Sequence, residues 1–121
     1  MALVKTTIND QIGGLFYIDE AVNATKVTMA TSGTYSLHQI EITNTANSHK
    51  VYLKIYGSDP TVGNTDPDCI FPCEAAASAE YSFSDAIGFT DIYYAVTHEA
   101  GTGGNTDPTN AITVKFLLTS A

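Results

Sequence analysis

Few residues in this chain could do chemistry, and their spacing brings few of them together. Two cysteines, Cys69 and Cys73, lie four apart in DCIFPCE, a stretch that reads as extended chain. Four strand residues span about 13 Å, whereas a disulfide needs Cα atoms within roughly 7 Å. The two thiols are therefore expected not to pair with each other. A metal site would need two further ligands at suitable spacing, and His38, His49 and His98 are scattered with no second cysteine pair. Free thiols acting as small core hydrophobes are the expectation, and with them a reducing compartment at the time of folding. Carboxylate pairs occur at Asp19-Glu20 and Asp66/Asp68, but on an acidic chain such pairs are ordinary solvated surface. No G-x-S-x-G elbow is present, and Gly88 and the run Gly101 to Gly104 lack the strand-to-helix context of a nucleotide loop. No catalytic residue, cofactor site or metal site is assigned, and the chain is read as a non-enzyme.

One motif repeats. GNTDP occurs as Gly63 to Pro67 and again as Gly104 to Pro108. A calcium reading would recruit Asp59, Asp66, Asp68 and Asp107, because hard cations take several oxygen ligands. No acidic ladder of the EF-hand type accompanies them. Gly supplies unusual backbone angles, Asn and Asp cap turns, and Pro forces the preceding residue to extend. Two similar loop exits, each just upstream of a strand, are the better account.

The elements that must position these residues follow from composition and alternation. At 121 residues the chain is one domain, able to bury roughly two thirds of its unfolded surface. Its start, MALVKTTINDQ, lacks the basic-then-apolar order of a secretory signal, and no apolar run is long enough for a membrane span. A soluble protein starting at its initiator methionine, without membrane partners, is expected. Thirteen acids against five bases give a formal charge of −8, and every base is a lysine. Without Arg and with dispersed lysines there is no basic stripe to neutralise phosphates, so nucleic acid is excluded as a partner.

Period-two alternation dominates. KVYLKIY puts Val51, Leu53 and Ile55 on one face and Lys50, Tyr52, Lys54 and Tyr56 on the other. AITVKFLLT places Ile112, Val114, Phe116 and Leu118 together, with Thr113, Lys115 and Leu117 opposite, and DIYYAVTH sets Ile92, Tyr94 and Val96 on one face. In TYSLHQIEITN the core parity changes between Tyr35/Leu37 and Ile40/Ile42, which predicts a bulge. ATKVTMAT, joined to it through Ser32-Gly33, is expected to complete a hairpin. Short strands are expected over 69–71 and 79–83. Seven or eight such strands with polar turns between them predict an all-β fold, an antiparallel β-sandwich or jelly roll. Residues 19–121 form the sandwich domain, and residues 1–18 are either an N-terminal arm or a first strand.

From Val51 onward the chain resembles a module recurrent in tailed-bacteriophage structural proteins. Its pattern is a "vYlKlYd" strand, "PTVGtdtP", an apolar strand, a small-residue step, then "G-F-x-x-G-lxyavT". The matching stretches here are Val51 to Tyr56, Pro60 to Pro67, Cys69 to Pro72, Glu74 to Ala79, Gly88-Phe89 and Ile92 to Thr97. KIYGSDPTVGNTDP is the most specific piece, while Asp91 stands where the pattern often has Gly and two cysteines occupy a usually aliphatic strand. The resemblance implies a small β-sandwich virion component of the capsid decoration or cement type. Its partners would be the major capsid protein and further copies of itself, with a homotrimer expected. Its place would be the outer capsid surface after synthesis in the host cytoplasm.

Two groups are candidate interface residues. Leu3, Val4, Ile8, Leu15, Phe16, Tyr17 and Ile18 make the N-terminal stretch more apolar than a free terminus should be. Tyr52 and Tyr56 share a strand face that could meet another subunit, since Tyr is enriched at interfaces. The alternatives are a tail, neck or fibre-associated structural protein, or a carbohydrate-binding or host-adhesion module in which tyrosines replace the absent tryptophans.

Overall fold

The structure is a computed structural model that describes residues 3–7, 15–30 and 34–120. Among the described residues there are nine strands: β1 (Leu3–Thr7), β2 (Leu15–Val22), β3 (Val27–Ala30), β4 (Tyr35–Asn44), β5 (Val51–Tyr56), β6 (Cys69–Cys73), β7 (Ala77–Phe89), β8 (Ile92–Thr97) and β9 (Ile112–Ser120). They form two antiparallel sheets, a five-stranded one in the order β1-β2-β9-β4-β7 and a four-stranded one in the order β3-β8-β5-β6. The expected β-sandwich is what the chain adopts.

Alternation explains which residues lie between the sheets. Val51, Leu53 and Ile55 of β5 are fully buried, as are Ile112, Val114, Phe116 and Leu118 of β9. The parity change in β4 is also present as a bulge. Its register slips between Leu37 and Gln39 against both neighbours, β7 and β9. The slip lets Leu37 on one side of it and Ile40 on the other both reach the core.

One interaction ties the two sheets by apolar and polar contact at once. The Tyr94 ring of β8 stacks at 4.8 Å on Phe116 of β9, and its hydroxyl donates to Asp19 Oδ2 of β2 at 2.6 Å. Asp19 is itself fully buried, and its other oxygen accepts the Ala21 N–H at 3.0 Å. At one end of the sandwich an asparagine network does similar work. Asn44 donates to the carbonyls of His49 and Glu74, each at 2.9 Å, while Asn47 donates to Asn44 and exchanges two hydrogen bonds with the Asn110 backbone.

Three expectations need correction. The hairpin of β3 with β4 does not form. β4 is flanked on both sides by β7 and β9, so no edge is left for β3, which pairs with β8 in the other sheet. Second, the Asp19-Glu20 pair is not all solvated surface, because Asp19 points between the sheets and is fully buried. Of the two readings of residues 1–18, β2 runs on past residue 18 and pairs with β1 on one side and β9 on the other. The described part of the first eighteen residues is therefore sheet, and residues 8–14 lie outside the described residues. Third, Lys54 and Tyr56 do not face solvent: they are 0% and 1% exposed. The segment after β8 folds back over β5, and Lys54 Nζ donates to the Gly101 carbonyl at 2.7 Å and the Gly104 carbonyl at 3.1 Å. Ala95 and Thr97, opposite Lys54 and Tyr52 on β8, are fully buried as well.

The buried polar groups set two tests. Burial raises the phenols of Tyr94, Tyr56, Tyr17 and Tyr81, with the Asp19 carboxylate adding to the effect at Tyr94. Their folded-state values lie above the unfolded value near 10, so their stabilisation is complete below about pH 10 and is lost as pH climbs past it. Lys54, lowered by desolvation, acts in the opposite sense. The denaturant midpoint should fall steeply above about pH 10, and less steeply in Tyr94→Phe; equal slopes would contradict the assignment. Replacing Lys54 by Met removes a buried charge along with two hydrogen bonds, which should leave global stability within about 1–2 kcal/mol. Amide exchange in residues 99–106 should nevertheless accelerate clearly, because their anchor is gone.

Candidate interface on the outer face of the five-stranded sheet

Because side chains alternate across a strand, one set of residues from β2, β9, β4 and β7 points away from the core. Cross-strand register lines them up in rows. One row runs Val4, Ile18, Lys115, Glu41, Glu80, and the next contains Phe16, Leu117, Gln39, Ser82. Val4 is 53% exposed, while Phe16, Ile18 and Leu117 are half-buried. An open depression of about 380 Å³ lies here, lined by Phe16, Gln39, Glu41, Lys115 and Leu117. The face is apolar toward β1 and β2 and acidic toward β4 and β7. Lys115 Nζ reaches Glu41 Oε1 at 3.7 Å, with both side chains 38% exposed, so this pair contributes about 0–1 kcal/mol.

The expected interface residues divide in a definite way. Val4, Phe16 and Ile18 come together on this outer face. Tyr17 points the other way and is a core residue, 6% exposed. Leu3 and Leu15 are strand residues opposite Asp19 and Leu118, and Ile8 lies outside the described residues. Of the tyrosine pair, Tyr52 stays half-buried with the Lys50 ammonium 5.5 Å from its ring centroid. Tyr56 is 1% exposed and so presents no surface to a second subunit. Leu117 belongs to the face and was not singled out from sequence, although an apolar residue among Thr113 and Lys115 was the available signal.

The other chemical candidates are accounted for locally. His49 Nε2 accepts the Thr109 N–H at 3.2 Å, leaving Nδ1 to donate to the Lys50 carbonyl at 3.2 Å. Its ring stacks at 4.0 Å on His98, and His38 Nε2 pairs with Thr119 Oγ1 at 2.7 Å. Cys73 is buried and Cys69 half-buried, both unpaired with each other, and burial pushes both thiols up, away from reactivity.

The two GNTDP copies meet in space. A Cβ on Gly63, whose φ is +96°, would sit 3.0 Å from Asn105 Nδ2. Glycine is needed there both for its backbone angle and for the close approach. The carboxylates of a calcium reading serve separate partners. Asp66 accepts from Thr102 Oγ1 at 2.6 Å, Asp107 from the Ala24 N–H at 2.9 Å, Asp68 from the Gly57 N–H, and Asp59 pairs with Lys26. Among the described residues no group of three His, Cys, Asp or Glu is arranged to hold a metal ion.

The half-buried state of the face makes a stability contrast. Phe16→Ser should cost about 1–2 kcal/mol, because part of the ring stays in water, whereas Phe116→Ala should cost about 3–5 kcal/mol. Urea unfolding measures both, and a Phe16 cost equal to that of Phe116 would mean that the outer face is part of the core. No protein-family model matches this chain, and no curated protein matches it.

Proposed function

We propose that the chain is a virion structural protein of the capsid decoration or cement type. It would bind the major capsid protein on the outside of a tailed-phage head and form a homo-oligomer, with a trimer as the expected state. The observation that carries the reading is the contrast between the two outer faces of the sandwich. The middle of the outside of the four-stranded sheet, at Lys54, Tyr56, Ala95 and Thr97, is buried, and the chain's own loop bonds to Lys54 there, leaving Ile70 exposed at the β6 edge. The outside of the five-stranded sheet is left open with Val4, Phe16, Ile18 and Leu117 together on it. A sequence that buries a lysine to close the middle of one face and gathers four apolar residues on the other has the form of a binding module. The resemblance of KIYGSDPTVGNTDP and its flanks to phage structural modules supplies the setting.

The mechanism would be mass action. A protein that binds only the assembled shell stabilises it by its binding free energy, and many modest contacts sum over the shell. The formal charge of −8 opposes non-specific association of the free protein.

Purified protein mixed with capsids lacking it should co-sediment at a fixed number of copies per shell and raise the temperature at which shells rupture. Absence of head binding would overturn the decoration reading and direct attention to tail structures and to glycans.

A further inference from the structure

The row Lys115, Glu41, Glu80 crosses three adjacent strands with one ammonium for two carboxylates. Lys115 lies by Glu41, and Glu80 is the direct cross-strand partner of Glu41 on the same face. Like charges directly opposite each other destabilise a sheet, and among the described side chains of this face Lys115 is the one base. Alongside lies the apolar end formed by Phe16, Ile18 and Leu117. The face thus presents a hydrophobic step beside an excess of negative charge, and a cation brought from outside would complete the row.

We infer that this face is a docking groove for a protein segment that pairs an apolar side chain with a lysine or arginine. The apolar side chain sits on Phe16, Ile18 and Leu117, and the cation lies between Glu41 and Glu80. Strands are about 4.8 Å apart, so the two anchor points are roughly 12 Å apart across the sheet. That is about the reach of residues four apart on an extended chain or seven to eight apart on a helix. A second copy of this chain is the weaker occupant, because it would bring another acidic molecule against an acidic row. For the identity of the partner, a capsid subunit, the inference rests on the decoration reading; its chemistry can be tested without capsids.

The probe is a synthetic amidated peptide of leucine and lysine, roughly nine residues or about 30 Å when extended, titrated into the isotope-labelled full chain. Amide shifts should saturate at Phe16, Ile18, Leu117 and Glu80, and should weaken as salt is raised. Affinity should drop about tenfold or more in Glu80→Lys and less in Glu80→Gln, while Glu74→Lys, at the far end of the β6–β7 turn, should leave it unchanged. The spectra of the variants report their folding directly. Shifts that are absent, spread evenly over the acidic surface, or equally strong with a leucine and glutamate peptide would overturn the groove. In the capsid assay, head binding that survives unchanged in both Glu80→Lys and Leu117→Gln would overturn the groove and leave the decoration reading standing. Heads that never bind, together with a peptide that does, would overturn the decoration reading and support the groove.

Discussion

The sandwich depends on how Tyr94 is held. Its ring supplies apolar area against Phe116 while its hydroxyl answers a carboxylate that has been taken entirely out of water. Without that donor, buried Asp19 would keep only the Ala21 N–H, an undersatisfied carboxylate in an apolar layer, which is a costly arrangement for a core. Because the ring and the carboxylate come from different sheets, the contact fixes how one sheet lies over the other as well as how far apart they sit. Hydrophobic burial alone would tolerate sliding, but a hydrogen bond of 2.6 Å would not.

Everything outside the core follows from an asymmetry between the two sheets. The middle of the four-stranded sheet's outer surface is built into the fold: Lys54, Tyr56, Ala95 and Thr97 are buried, with Lys54 bonded to the loop after β8, while Ile70 on the β6 edge stays 41% exposed. The five-stranded sheet has no such cover among the described residues. Its outer parity carries an aromatic, three aliphatics and a row of charges that the chain does not balance by itself. This division makes the two outer faces of the sandwich unlike each other.

The sequence made the strands legible because alternation is a local property. Val51 to Ile55, Ile112 to Leu118 and the parity switch at His38 all report backbone geometry within a few residues. Strand partnership was not legible in the same way. ATKVTMAT looked like the mate of TYSLHQIEITN because a turn joins them, yet β4 was already claimed on both sides by strands far along the chain. The outward reading of Lys54 and Tyr56 failed for a related reason. Alternation says which residues share a face, but only the path of a loop nearly fifty residues away decides whether that face is wet. The outer-face residues were half visible. Val4, Phe16 and Ile18 stood out as an apolar stretch near the terminus, whereas Leu117 joins them only through the β2–β9 register.

Surface loops are where chains usually gain and lose residues over evolutionary time, since their backbone is solvated and little packs on them. The segment from His98 to Asn110, rich in Gly, Thr and Asn, has that composition. Its carbonyls nevertheless terminate a buried ammonium, and Asn105 fills the space opposite Gly63. Lengthening it by even one residue would strand Lys54 in an apolar wall and separate the two GNTDP turns. Among related chains, insertions should therefore accumulate at other connections, leaving this loop as constant in length as a strand.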